Sequence, residues 1–163
     1  MITKDKEIIL IGGGILGLSI ARKFLIEGYK KITVLEKEES VAIHQSSRNS
    51  GVMHAGLYYE PNSLKAKLSR DGIVLMKEYC NKNFIKWDEC GKIVVATKEN
   101  QLDRLENLLA RGEKNNLKGI KRIDSKKINI LEPYVNAKAG ILVPEESIVS
   151  YHDVAKKFEQ EIV

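Results

Sequence analysis

Two cysteines in 163 residues, Cys80 and Cys90, are too few and wrongly spaced for a metal-binding set or a disulfide framework. In a chain without an export signal they read as reduced structural thiols. No apolar run approaches the roughly 20 residues that cross a bilayer. The opening Met1-Ile2-Thr3-Lys4-Asp5-Lys6 does not read as a secretory leader, because the apolar stretch behind it is broken by glycines. Internal repeats and low-complexity linkers are lacking, so nothing suggests a repeat array. The charge balance is basic, with Lys+Arg 27 against Asp+Glu 22 and a net charge of +5. Those lysines are scattered over every expected helix and loop, and no nucleic-acid motif accompanies them. A solvated basic surface is the expectation, with no nucleic-acid partner. With 43% hydrophobic and 30% charged residues, the length suffices for an ordinary domain with a real core.

What is present begins with Ile8-Ile9-Leu10-Ile11-Gly12-Gly13-Gly14-Ile15-Leu16-Gly17. Four apolar residues after a charged segment predict a buried parallel strand. Gly12, Gly14 and Gly17 stand at the spacing G-x-G-x-x-G, and Leu16, Leu18, Ile20, Ala21, Phe24 and Leu25 continue as a helix. Gly12 permits a tight turn, Gly14 lets backbone N–H groups approach a pyrophosphate, and Gly17 lets helix and strand pack closely. The helix N-terminus would hold the anion. Gly28 is a stop signal, and Ile32-Thr33-Val34-Leu35 is a second β-branched strand ending in Glu36. An acidic residue there, roughly 20 residues after the first glycine, accepts ribose hydroxyls and disfavours a 2′-phosphate. The motif leaves FAD and NAD equally open.

The remainder alternates helix and strand. Pro61-Asn62-Ser63 reads as a helix start, with Leu64, Leu68, Leu75 and Tyr79 on one face and Gly72 where a neighbour could lie close. Ile93 to Ala96 predicts a strand after a turn at Gly91. Asn100 is expected to cap a helix carrying Leu102, Leu105, Leu108 and Leu109, and Asp124 a shorter one that stops before Pro133. Ile141 to Val143 predicts a strand ended by Pro144, and His152 to Val163 a last helix.

Between these lies Ser46-Ser47-Arg48-Asn49-Ser50-Gly51-Val52-Met53-His54-Ala55-Gly56-Leu57-Tyr58-Tyr59. Small hydroxyls, an amide, an arginine and glycines suit the placing of donors against a planar polar ligand, and His54 can carry a proton near neutral pH. Read alone, the run is a polar loop, and a lone histidine such as His54 is more often one satisfied in the core. Together with the glycine motif, Glu36, Pro61 to Leu68, Cys90 to Ala96, Leu131-Glu132-Pro133, Val143-Pro144 and Ile148 to Tyr151, it resembles the L-2-hydroxyglutarate oxidase/dehydrogenase family. That family belongs to the D-amino-acid-oxidase-like FAD-dependent oxidoreductases.

The resemblance implies an α/β fold. A Rossmann-like FAD-binding βαβ unit would be followed by the start of an inserted α+β substrate domain, within an incomplete two-domain oxidoreductase. The expected segments are residues 1–80 for part of the FAD domain, 81–150 for part of the substrate domain, and 151–163 for a helix returning toward the first. FAD would be held non-covalently by Gly12, Gly14, Gly17, Glu36, Ser47, Arg48, Asn49, Ser50 and Gly51. His54 would be catalytic, Tyr58 and Tyr59 would face substrate, and no metal is called for. Lys65 is a further candidate for a substrate carboxylate, set against a solvated helix face. The implied reaction oxidises L-2-hydroxyglutarate, or a similar 2-hydroxyacid, to the 2-oxoacid in a cytoplasmic enzyme. A quinone or peripheral membrane link, and a partner chain completing the fold, stay open. Two other readings stand beside it: a non-catalytic or split-gene component needing that partner, and an amine or amino-acid oxidase of the same superfamily.

Overall fold

The computed structural model describes residues 3–163. In chain order its elements are β1 (Ile8–Ile11), α1 (Ile15–Ile26), β2 (Ile32–Leu35), β3 (Val52–Met53), α2 (Leu64–Lys82), β4 (Trp87–Asp88), β5 (Lys92–Ala96), α3 (Leu102–Lys114), β6 (Lys121–Asp124), α4 (Ser125–Leu131), β7 (Ala139–Val143), β8 (Ser147–Val149) and α5 (Tyr151–Ile162). They divide into two compact units. The first comprises the described residues up to Gly51 with Cys80–Lys86 and Val149–Val163, and the second Val52–Tyr79 with Trp87–Ile148. The segment 52–79 therefore packs with the second unit.

In the first unit β1 and β2 pair in parallel, Ile8 opposite Ile32 through Ile11 opposite Leu35. A parallel pair needs a crossover, and α1 supplies it. Its end is closed by Gly28 N–H bonding to Leu25 O and Tyr29 N–H to Phe24 O, the paired bonds of a Schellman turn. Helix α5 packs along α1, and Leu18, Ala21, Val154, Ala155 and Phe158 are buried. Arg22 sits over the Phe158 ring at 5.6 Å and reaches Glu161 at 2.5 Å. Ser150 starts α5 by accepting the Asp153 N–H. β1 departs from the expected fully buried strand. Its residues alternate, and Ile9 and Ile11 are 54% and 90% exposed because only the opposite face of the pair is covered.

The second unit is built on an antiparallel sheet of order β5-β7-β6, with β7 in the middle. The central place explains why the short apolar run Ala139–Val143 is a strand: Ile141 and Val143 are fully buried. Ile123, Ile128 and Ala137 form a cluster joined by Ile93, Val95, Val135 and Leu142. Asp124 caps α4 as expected, accepting the Lys127 N–H at 2.8 Å. A second small sheet has the order β3-β8-β4.

Two expectations are corrected. On α2 the buried residues are Ala66, Ile73 and Cys80, whereas Leu64, Leu68 and Leu75 are more than half exposed and nothing lies near Gly72. Ile73, flanked by the small Ala66 and Cys80, is the large side chain that stripe buries, and nothing described covers the leucine stripe. The start of α3 is secured by Gln101, not Asn100. A turn of 3-10 helix precedes it, and Gln101 Oε1 accepts the N–H groups of Thr97 and Lys98.

Candidate functional site

The glycine turn joins β1 to α1. Gly12 has φ of +107°, a left-handed conformation that glycine adopts without strain, and its Cα faces open space. A Cβ on Gly17 would collide with the Gly12 carbonyl oxygen, so the third glycine of the motif is fixed by close approach of backbone to backbone. Gly14 is the N-cap of α1 and offers no side chain to its first turn. Ser46 does so instead, its Oγ accepting the Ile15 N–H at 3.0 Å from 31 residues away in sequence. The N–H groups of Leu16 and Gly17 have no carbonyl four residues back in the helix, so the positive end of α1 is free to meet an anion.

Glu36 is bound into the same turn. Its Oε2 accepts the Gly13 N–H at 2.7 Å, and Oε1 accepts those of Lys37 and Glu38. The Gly13 N–H, and next that of Glu38, hold its carboxyl below the ordinary carboxylate value. Glu36 thus shapes the glycine turn, and of its roughly four lone-pair sites the second one on Oε2 remains for a ribose hydroxyl. At the rim, Lys37 and His44 both meet the Glu38 carboxylate, at 2.5 and 2.9 Å. The result is a cleft of about 410 Å³ lined chiefly by Gly12, Gly14, Leu35, Glu36, Ala42 and Ser46. That is a usual size for part of a small-molecule site.

The hydroxyl- and amide-rich loop that follows is tied mostly to itself. Asn49 donates to Gln45 O and Ser46 O and accepts from Gly51 N–H, while Ser47 Oγ donates to Ala42 O. These bonds hold the walls of the cleft. Arg48 and Ser50 are exposed and do not line it.

The remaining candidates lie in the second unit. Half-exposed His54 brings Nδ1 to 3.2 Å from Oε2 of Glu146, whose side chain is only 1% exposed. The other oxygen, Oε1, accepts the Ala55 N–H at 3.1 Å and lies 2.9 Å from Lys92 Nζ. That ammonium sits 4.8 Å from the centre of the Tyr58 ring, a cation–π contact. His54 and Tyr58 are therefore joined through Lys92 and Glu146. Tyr59 stands apart: its carbonyl accepts from Asn115, which also holds Gly56 O. Lys65 is exposed on α2. Ser46, though it opens the hydroxyl-rich run, was given no role by the sequence, and Lys92 and Glu146 were not singled out, because each acts across 30 or more residues.

The model of the FAD-dependent oxidoreductase family known as DAO matches residues 7–163. The chain belongs to this family. It is 44% identical over 159 residues to the mitochondrial L-2-hydroxyglutarate dehydrogenase of Dictyostelium discoideum, covering 96% of this chain and 36% of the relative. The chain thus spans about a third of the length of the curated relatives it matches. Among solved structures, the L-α-glycerophosphate oxidase of Mycoplasma pneumoniae with FAD bound superimposes with a TM-score of 0.78 at 29% identity, over 99% of this chain and 44% of that one. The glycine oxidase of Geobacillus kaustophilus gives 0.85 at 19% identity over 98% and 45%, a likeness of fold alone. As in other members of an FAD-dependent family, the cofactor is FAD. The residues present fit its adenosine diphosphate end: an uncluttered Gly12, a free helix N-terminus and an acidic side chain at the end of β2.

Proposed function

We propose that this chain is the FAD-holding and substrate-facing N-terminal portion of an oxidoreductase that converts L-2-hydroxyglutarate, or a similar 2-hydroxyacid, to its 2-oxoacid. The observation that carries the reading is the glycine turn with Glu36 locked to Gly13, at one end of a chain 44% identical to an enzyme of that name. The first unit would bind FAD through Gly12, Gly14, Gly17 and Glu36, with Ser47, Asn49 and Gly51 shaping the loop beside it. Arg48 and Ser50, exposed on that loop, are the donors it leaves available. Bound FAD supplies the acceptor for the hydride that leaves the alcohol carbon. The chain's own part is to take the hydroxyl proton, and His54 is the candidate, presenting a half-exposed ring backed by a buried carboxylate. Tyr58, and with less support from its contacts Tyr59, would meet the substrate. Cytoplasmic placement rests on the sequence reading; the relatives carry the word mitochondrial in their names.

Anaerobic absorption of the flavin-loaded chain tests this. Addition of L-2-hydroxyglutarate should bleach the flavin band, and His54→Gln should slow bleaching by about 100-fold, the usual worth of a general base. A loaded flavin bleached by an amino acid but not by the hydroxyacid would overturn the substrate class.

A second reading is favoured by Ile9, 54% exposed on the first unit's small sheet beside Ile11 and Leu35, which line the cleft. An apolar face of this kind suits coverage by further polypeptide. Copurification of a second chain whose addition restores flavin retention would support it.

A further inference from the structure

The buried carboxylate of Glu146 is unevenly satisfied. Oε1 accepts the Ala55 N–H and pairs by charge with the Lys92 ammonium at 2.9 Å, whereas Oε2 and Lys92 Nζ, both buried, have no hydrogen bond of good geometry. A buried acceptor left without a donor is costly, of the order of 1–3 kcal/mol. Two donors stand beside the carboxylate: Lys92 Nζ, which lies against Oε1, and Nδ1 of His54, which lies 3.2 Å from Oε2. Other charged groups nearby are engaged elsewhere. Glu145 accepts from both terminal guanidinium nitrogens of Arg70 and from the Lys118 N–H. Lys77 reaches Glu89 and the Glu145 carbonyl. The backbone of Glu146 is fixed by its carbonyl accepting the Gly91 N–H beside β5, and its carboxylate by burial and by the Ala55 N–H.

We infer that Glu146 is the positioning residue of His54, its buried Oε2 accepting a hydrogen bond from Nδ1–H so that the ring turns an unprotonated Nε2 to the surface. Lys92 completes the arrangement by holding Oε1, which pins the carboxylate's orientation, and the Tyr58 ring covers Lys92 in turn. A neutral imidazole has one donor and one acceptor nitrogen, and the partner at one nitrogen dictates the other's role. Here the buried side fixes the donor, and the exposed side is left as the base. The inference rests on reading His54 as the proton acceptor and explains why such a base would be ready before substrate arrives.

The test uses nitrogen-15 NMR of the histidine-labelled chain without any cofactor. Only His44, His54 and His152 contribute, and His54→Gln assigns the signal. At a pH where the ring is neutral, the expected spectrum shows His54 protonated on Nδ1 over Nε2 by at least about tenfold. The double variant Glu146→Leu with Lys92→Met removes acceptor and cation together, so no buried charge is stranded. In it that preference should collapse to a mixture. A wild-type ring carrying its proton on Nε2 overturns the inference, as does a double variant with an unchanged tautomer. Should the double variant not fold, the wild-type spectrum decides alone. Flavin bleaching is independent of this readout, so a fixed tautomer in a chain that does not bleach would count against the proposed activity and leave the positioning role intact.

Discussion

Single side chains do unequal work here. Glu36 links the end of β2 to the glycine turn, and the Gly13 N–H lowers its folded-state pKa below the ordinary value of 4.5. A depressed carboxylate pKa contributes stability that is complete above the unfolded value and is lost as pH falls through the lower folded one. The Gly13 amide resonance should therefore move on acidification below about pH 4.5, and Glu36→Gln should abolish that movement. Ser46 replaces the side-chain cap that Gly14 lacks, so Ser46→Ala should cost about 1 kcal/mol and speed hydrogen exchange at the Ile15 amide. Cys80 is buried and its thiol is pushed up by that burial, which accords with the inert thiol expected from the sequence.

Among the elements, those defined by local chemistry were legible in the sequence. The Gly28 closure and the Asp124 cap rest on residues within a few positions of one another, and β1, α1, β2 and the strand ended by Pro144 each carry their own local pattern although their pairing is distant. Because its hydrogen bond is exposed and local, Asp124→Ala should lower stability by about 1 kcal/mol without altering the fold, read as a small fall in Tm. What the sequence hid depended on distant partners. β3, β6 and β8 are two to four residues long and become strands only through their neighbours. Helix α2 offered a leucine stripe that reads as the core face, yet the stripe of Ala66, Ile73 and Cys80 is the buried one. Side-chain size favoured one face and packing the other. The candidate site divides the same way. Gly12, Gly14, Gly17 and Glu36 follow from a spaced motif, while Ser46 meets Ile15 in the first unit, and Lys92 and Glu146 meet Tyr58 and His54 in the second, each across 30 or more residues.

As a whole molecule the chain carries two compact units, one with a parallel strand pair and a glycine turn, the other with an antiparallel sheet and the His54 cluster. Its membership of an FAD-dependent family and its length relative to other members make cofactor retention the central matter. The most direct measurement is a flavin-fluorescence titration of the purified chain with FAD, repeated with ADP as competitor and with Gly17→Ala. Saturable binding is expected, with ADP displacing FAD because the glycine turn grips the diphosphate end. The added Cβ of Gly17→Ala, driven against the Gly12 carbonyl, should weaken affinity by at least about tenfold, or roughly 1.4 kcal/mol. Binding indifferent to both ADP and Gly17→Ala, or no saturable binding at all, would contradict the assignment of this turn as the FAD cradle.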